Sequence, residues 1–338
     1  MRKFNWKHTI LIAFLLISII SCQKDEPNTE LELESYFEQF WNDFDKTYSY
    51  FSLKQVDWDS VYQANKRRIN SETTSSEFET ILTDIILSLK DIHVRLITNT
   101  KTHKYSNNDL FDRNSPANAY TYLSSVRVNS ETLTIGDIKN TNIAYVRVKN
   151  LNPAGNFDPL NLVLDDLPSK DGFILDLRDN YGGNDGIAKK FVNRLTHKNV
   201  IHGYVRVRNG SNRDDFGEWQ ARRLTPYNPV DFNKPITVLT NRFVVSSGEG
   251  FVTMMMVLPN TTLIGDTTRG ATANPKEFTL PNGWKYWVSS WQATTSTYQL
   301  IEDQGIAPNI SLTNTVESME QGKDLILEKA IDVIQSSN

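Results

Sequence analysis

The chain has 338 residues, 39% of them hydrophobic and 22% charged, with a formal net charge of −4 and a single cysteine. That is enough sequence for one large or two modest domains with a real core. The acidic balance argues against a nucleic-acid partner, and one cysteine excludes an internal disulfide.

Residues 1–21 read as a targeting segment. Arg2, Lys3 and Lys7 form a basic start, and Thr9 to Ile20 is an apolar run of signal-peptide length, too short to span a bilayer. The run ends in "IISC", which resembles a lipobox, so Cys22 is expected to carry an acyl anchor that holds the protein in the cell envelope outside the cytoplasm. The following "QKDE" resembles an acidic signal for display on the outer face, although a solvated tether would look similar. Residues 22–32 are read as a polar, disordered tether.

Leu33, Phe37, Phe40, Trp41, Phe44 and Tyr48 recur at helical spacing, and a short helix is expected near Asp57. Phe78, Ile81, Leu82, Ile85, Ile86 and Leu89 form the stripe of a third helix, for which Ser76 and Glu79 supply a capping box. Residues 33–100 thus read as a small helical unit, and residues 101–133 as an irregular connection. From residue 134 onward the texture is α/β. "IAYVRV" alternates as a strand, "GFILDLR" and "PITVLTN" are apolar strands, and "TTLIG" and "WKYWVSSW" look like further strands. "NDGIAKKFVNRL", the stretch from about Ser247 and "DLILEKAIDVI" read as helices, which makes the whole an α/β core behind a helical unit.

Two stretches carry chemistry. "DGFILDLRDNYGGN" runs a strand into a turn with Gly182 and Gly183, where backbone N–H groups can approach a ligand closely. The same residues also suit an ordinary tight turn. "LTNRFVVSSGEGF" puts Ser246 after a strand and at a helix N-terminus, where free N–H donors and the helix dipole favour an oxyanion. Serine is equally a favoured N-cap, and the G-x-S-x-G elbow of α/β-hydrolases is absent.

Taken in order, "DLRDNYGG", "TN…SSGE", "IGDTTRG" and "IEDQGIAP" resemble the S41 serine peptidases, the family of tail-specific (C-terminal processing) proteases, tricorn cores and interphotoreceptor retinoid-binding proteins. The resemblance runs from about Phe37 to Ile334 and implies a core like those of ClpP and crotonase. It implies Ser246 as nucleophile, three residues before Glu249, with Ser247 as the neighbour to exclude. The lysine that processing proteases carry 25 residues after the nucleophile is Ala271 here. "DWDSVY", "LKDIHVRL" and "GKDLILEKA" fit the tricorn-like branch, which implies His93 as base, Glu302 as its carboxylate, and an oxyanion hole from the N–H of Ser247 with Gly182 or Gly183. Where that branch links histidine to glutamate through a serine, this chain has Ile92. Glu302 then reaches His93 by another route, a hydroxyl or water bridges them, or the relay is broken.

Only about fifty residues separate His93 from the strand at Ile143, too few for the PDZ domain of processing proteases. No metal signature appears, and no cofactor is expected. The sequence therefore reads as a lipid-anchored serine endopeptidase acting on peptide or protein substrates. A peptidase scaffold retained for binding peptides or hydrophobic ligands is the alternative.

Overall fold

A computed structural model describes residues 30–106, 114–116 and 118–337. Residues 1–21, read above as a targeting segment, and Cys22 lie outside the described residues. Helix α1 (Glu30–Thr47) begins inside the stretch expected as tether, with Glu30 and Glu32 in its first turn, where the dipole favours acids. It buries Leu33, Phe37, Phe40 and Phe44. Helix α2 (Trp58–Lys66) is capped by the Asp57 side chain. The capping box of helix α3 (Ser75–Ser88) lies two residues earlier than expected: Thr74 caps it and Glu77 returns the bond, in place of Ser76 and Glu79. Both pairs have the required spacing, and the one nearer the chain's entry into the stripe wins. α3 buries Phe78, Ile81, Leu82, Ile85 and Ile86, each contributing about 1.5–3 kcal/mol of hydrophobic stabilisation.

Two short strands follow, β1 (Arg95–Ile97) and β2 (Thr102–Lys104). The segment expected to be irregular then supplies β3 (Leu123–Asn129) and the start of β4 (Leu133–Ile138). β3 is an edge strand exposed along most of its length, so it carries no apolar alternation that a reader could detect. Next come β5 (Ile143–Val148), α4 (Pro159–Asp166), β6 (Gly172–Asp176), α5 (Asp185–Asn193), β7 (Val200–Val207), β8 (Gln220–Leu224) and β9 (Ile236–Thr240). The chain closes with α6 (Ser247–Met256), β10 (Thr261–Gly265), β11 (Lys276–Thr279), β12 (Lys285–Val288), β13 (Trp291–Thr295), β14 (Ile310–Ser311), α7 (Val316–Glu320) and α8 (Leu325–Ser336).

The main sheet has seven strands in the order β14-β10-β9-β6-β5-β4-β3. β5, β6, β9, β10 and β14 run parallel, while β3 and β4 join antiparallel at one edge. All five residues of β6 are buried, as expected of a parallel strand covered on both faces. Phe173 and Leu175 enter the core beneath α4, α5 and α6, and Ile174 enters the opposite core against Ile326, Leu327, Ala330 and Ile334 of α8. The fold is the expected mixed α/β core with a small helical unit before it.

The helical unit does not stand on its own helices alone. Its core also takes in Leu280, Trp284, Tyr286 and Val288 from the far end of the chain. β1 pairs antiparallel with β12, giving the four-stranded order β11-β12-β1-β2. The stretch read as one strand, "WKYWVSSW", is divided: β12 serves this sheet, and β13 pairs with β7 in a third sheet, β13-β7-β8. The α3–β1 turn thereby lines one cleft with the loops that leave β9 and β10.

A buried charge cluster ties the sheet end to the last helix. Arg178 is fully buried, donating to Asp176 (2.6 Å) and to Asp324 (2.9 Å), which also caps α8. Tyr145 Oη donates to the same Asp176 carboxylate at 2.9 Å. The "DLR" of the sequence motif is thus a structural anchor, and its strand ends in the loop that bears the glycines.

Candidate active site

The loops after β6 and β9 leave the carboxyl ends of adjacent parallel strands, the usual place for a site in such sheets. They are cross-bonded to each other. Asn180 O accepts from Val245 N (3.0 Å), Asn241 Oδ1 accepts from Asp179 N (3.0 Å), and Asn241 Nδ2 donates to Asp179 (2.7 Å).

Ser246 sits at the N-cap of α6 with φ 59° and ψ −126°. An L-residue rarely adopts that conformation, which costs of order 1–3 kcal/mol and persists only where the surroundings dictate it. Glu249 is the main restraint. It is fully buried and accepts from Thr268 Oγ1 (2.6 Å), Gly270 N (2.7 Å), Ala271 N (2.9 Å) and Ser246 N (3.2 Å). Burial pushes its carboxyl up to about 7, against the downward pull of these four donors. Ser246 N also donates to Ala271 O at 2.9 Å. Residue 271, where a lysine base would stand, is therefore beside the serine, but its methyl side chain can move no proton.

The two glycines are needed where they lie. Gly182 has φ 86°, and a Cβ there would come within 2.9 Å of both Ser246 Cβ and Ser247 N. Gly183 has φ 136°, and a Cβ would meet Leu151 O at 2.2 Å. The Gly182 N–H is taken by Asn180 Oδ1 at 2.9 Å. The N–H groups of Gly183 and of Ser247, the first residue of α6, have no acceptor among the described residues. Ser247 Oγ donates to Gly183 O at 2.6 Å, so its hydroxyl proton is engaged by the glycine turn.

His93 lies in the turn between α3 and β1 and lines the same cleft as Ser246, Gly182 and Gly183, a cavity of about 1200 Å³. No hydrogen bond joins its ring to Ser246 among the described residues. Such contacts are often long before substrate closes a site and tighten on the way to the transition state. Burial lowers the His93 pKa below its usual 6.5; Asp91 pulls it back up and Arg95 lowers it further. The ring is therefore held mainly neutral, the form a general base needs.

The carboxylate next to this ring is Asp91, not Glu302. Asp91 is buried, with Oδ1 accepting the His93 backbone N–H at 2.8 Å and lying 4.0 Å from His93 Nδ1. Its other oxygen accepts from Ser289 Oγ at 2.7 Å. His93 Nδ1 is buried and has no hydrogen-bond partner among the described residues. Glu302 is also buried, but it accepts from Thr272 N (2.8 Å), pairs with Lys54 (3.5 Å) and makes no contact with the His93 ring. Burial and then Asp91 raise its pKa well above the carboxylate range, while Lys54 opposes them. Ile92 lines the cleft beside His93, where the linking serine would stand. The "DIH" spacing was the available signal for Asp91, since an aspartate commonly caps the N–H two residues on.

A second cavity of about 450 Å³ opens on the other side of Ser246, between Thr272, Ala273, Trp291 and Arg222. Among the described residues, no group of three or more His, Cys, Asp and Glu side chains is gathered that could hold a metal ion.

Residues 142–312 match the profile of peptidase family S41, and residues 29–86 match the C1 domain of tricorn protease. Among solved structures, a candidate peptidase of Parabacteroides merdae ATCC 43184 superposes with a TM-score of 0.81 at 26% identity, over 91% of this chain and 97% of that one. Mature CPAF complexed with lactacystin gives 0.67 at 12% identity, over 90% and 98%. The photosystem II D1 C-terminal processing protease gives 0.58 at 13%, over 83% and 93%. The latter two are likenesses of fold. No curated protein sequence matches the chain.

The strained serine gives a direct prediction. Glycine tolerates the conformation of residue 246 and alanine does not, so Ser246→Gly should be about 1 kcal/mol more stable than Ser246→Ala in denaturant unfolding. Equal stabilities would mean that the backbone at 246 is relaxed.

Proposed function

The chain belongs to peptidase family S41 and is a peptidase; from that premise we propose that it is a serine endopeptidase with Ser246 as nucleophile and His93 as general base. The observation that carries the reading is Ser246 held in a strained turn at a helix N-terminus, facing the same cleft as a buried, mainly neutral histidine. His93 takes the Ser246 proton as Oγ attacks the scissile carbonyl, then returns it to the leaving amine. The tetrahedral oxyanion is received by the N–H groups of Gly183 and Ser247, with Gly182 providing the close approach that aligns them. Asp91 orients the imidazole and stabilises the imidazolium as it forms. Glu302 acts through the Thr272 backbone beside Ala271, and so holds the floor of the site.

We also propose that Cys22 carries a lipid anchor and that the enzyme works in the cell envelope outside the cytoplasm, facing peptide or protein substrates. The support is the lipobox-like end of the apolar run. The competing reading, a scaffold that binds peptides without cutting them, draws on the missing bond between Ser246 and His93.

A fluorophosphonate probe reports an activated serine with no knowledge of the substrate. It should label the wild type and fail on Ser246→Ala, and His93→Ala should slow labelling by about 10²–10⁴-fold. A well-folded wild type that never labels would support the scaffold. The labelling rate should fall as pH drops below 6.5, because only neutral His93 accepts the proton and its pKa is lowered. Asp91→Asn should move that limb to still lower pH, by removing the charge that raises the His93 pKa, whereas Glu302→Gln should leave the limb in place. A limb that moves with Glu302→Gln alone would reverse the two roles.

Incorporation of a clickable fatty acid by growing cells should be lost in Cys22→Ser. Persisting incorporation would refute the anchor.

A further inference from the structure

The cleft that joins His93 to Ser246 has an uneven charge. Among the described residues, Arg95, Lys104 and Arg269 line it, with Asp179 as the one acid on its wall. Asp179 is already engaged, by Asn241 and by Arg147 at 3.5 Å. The three cations have no acidic partner among the described residues, whereas Arg178, Arg194, Arg213, Arg222 and Arg242 all do. A protein of net charge −4 thus places, in its proposed active-site cleft, three cations with no acidic partner among the described residues.

Their arrangement is set by the sheet. Arg95 lies directly opposite Lys104 in the β1–β2 ladder and directly opposite Trp287 in the β1–β12 ladder. Residues opposite each other share a face, and like charges in that relation repel and destabilise the pair. The Arg95 guanidinium is stacked 4.0 Å over the Trp287 ring, and its Nε is buried without a hydrogen-bond partner among the described residues. Stacking holds the planar fork in place without using its donors. Arg269 reaches the cleft from a different part of the chain, the loop that also supplies Gly270 and Ala271 to the Glu249 carboxylate. Like charges gathered around one cleft, one of them a stacked guanidinium with donors to spare, suit a ligand that brings negative charge.

We propose that this cleft binds a carboxylate of the substrate peptide, through Arg95 and Arg269 with Lys104 adding field, so that the enzyme selects acidic segments beside the bond it cuts. The proposal deepens the peptidase reading, since it assigns a substrate class to the same site. The shared chemistry is a carboxylate accepting from a guanidinium fork, and a glutamate or aspartate side chain or a free peptide terminus could supply it.

Binding to the full-length Ser246→Ala chain in detergent tests this without requiring turnover. Three fluorescent peptides of equal length are compared by anisotropy: one with glutamates and an amidated end, one with glutamines at the same places and an amidated end, and the glutamine peptide with a free terminal carboxylate. The glutamate peptide should bind about tenfold more tightly than its amidated glutamine twin. The difference should fade in about 1 M salt, where the Debye length is about 3 Å. It should also vanish in a chain that carries Arg95→Gln and Arg269→Gln in addition. Tight binding of only the free-ended peptide would assign the carboxylate to a terminus. Equal binding of all three, or binding by none, would overturn the proposal, and so would a glutamate preference that survives both salt and the arginine changes. Failure of the wild type to react with a fluorophosphonate would instead sink the peptidase reading and leave this result standing.

Discussion

The Glu249 carboxylate is the interaction on which the site depends. Two oxygens collect four donors from three places: the start of α6, the Thr268 hydroxyl and the Gly270–Ala271 backbone. Burying a carboxyl without water costs several kcal/mol, and here the cost appears as a pKa raised to about 7. What the molecule gains is a fixed turn. The same group that accepts the Ser246 N–H also fixes the loop whose Ala271 carbonyl takes a second share of that proton. Ser246 is thereby kept in a backbone conformation that it would otherwise leave.

The rest of the architecture brings partners to that turn. Parallel strands β6 and β9 are neighbours, so their carboxyl-end loops must meet, and Asn180 and Asn241 stitch them together. The glycine turn then lies against the serine at distances that leave no room for a Cβ. His93 arrives from far away in sequence because β1 is paired to β12, which follows the Ser246 loop. One antiparallel pairing thus carries both the proposed general base and the cationic face of the cleft.

Much of this was legible from residues alone, for identifiable reasons. Fully buried parallel strands such as "GFILD" are continuous apolar runs, and α3 has a clean helical stripe, so both stand out. β3 is exposed along most of its length and β8 buries only its last residue, so neither has such contrast; residues 101–133 looked irregular and the third sheet escaped notice. The site divided along similar lines. Ser246 and the glycine turn are local motifs, visible as a strand running into a turn and a helix. The strain at Ser246 and the spent N–H of Gly182 are consequences of tertiary packing, and no spacing announces them. Asp91 was in view, two residues before His93, but an aspartate next to a turn has many uses, and only the fold shows it beside an unpartnered ring nitrogen.

The most direct test of the central claim is a crystal structure of the chain after reaction with an aryl phosphonate, whose tetrahedral phosphorus stands for the acyl intermediate. The account predicts phosphorus bonded to Ser246 Oγ, one phosphoryl oxygen accepting from the N–H groups of Gly183 and Ser247, and the His93 ring within hydrogen-bond distance of the adduct. Phosphorus on any other residue, or an adduct on Ser246 whose oxygen points away from those two N–H groups, would contradict it.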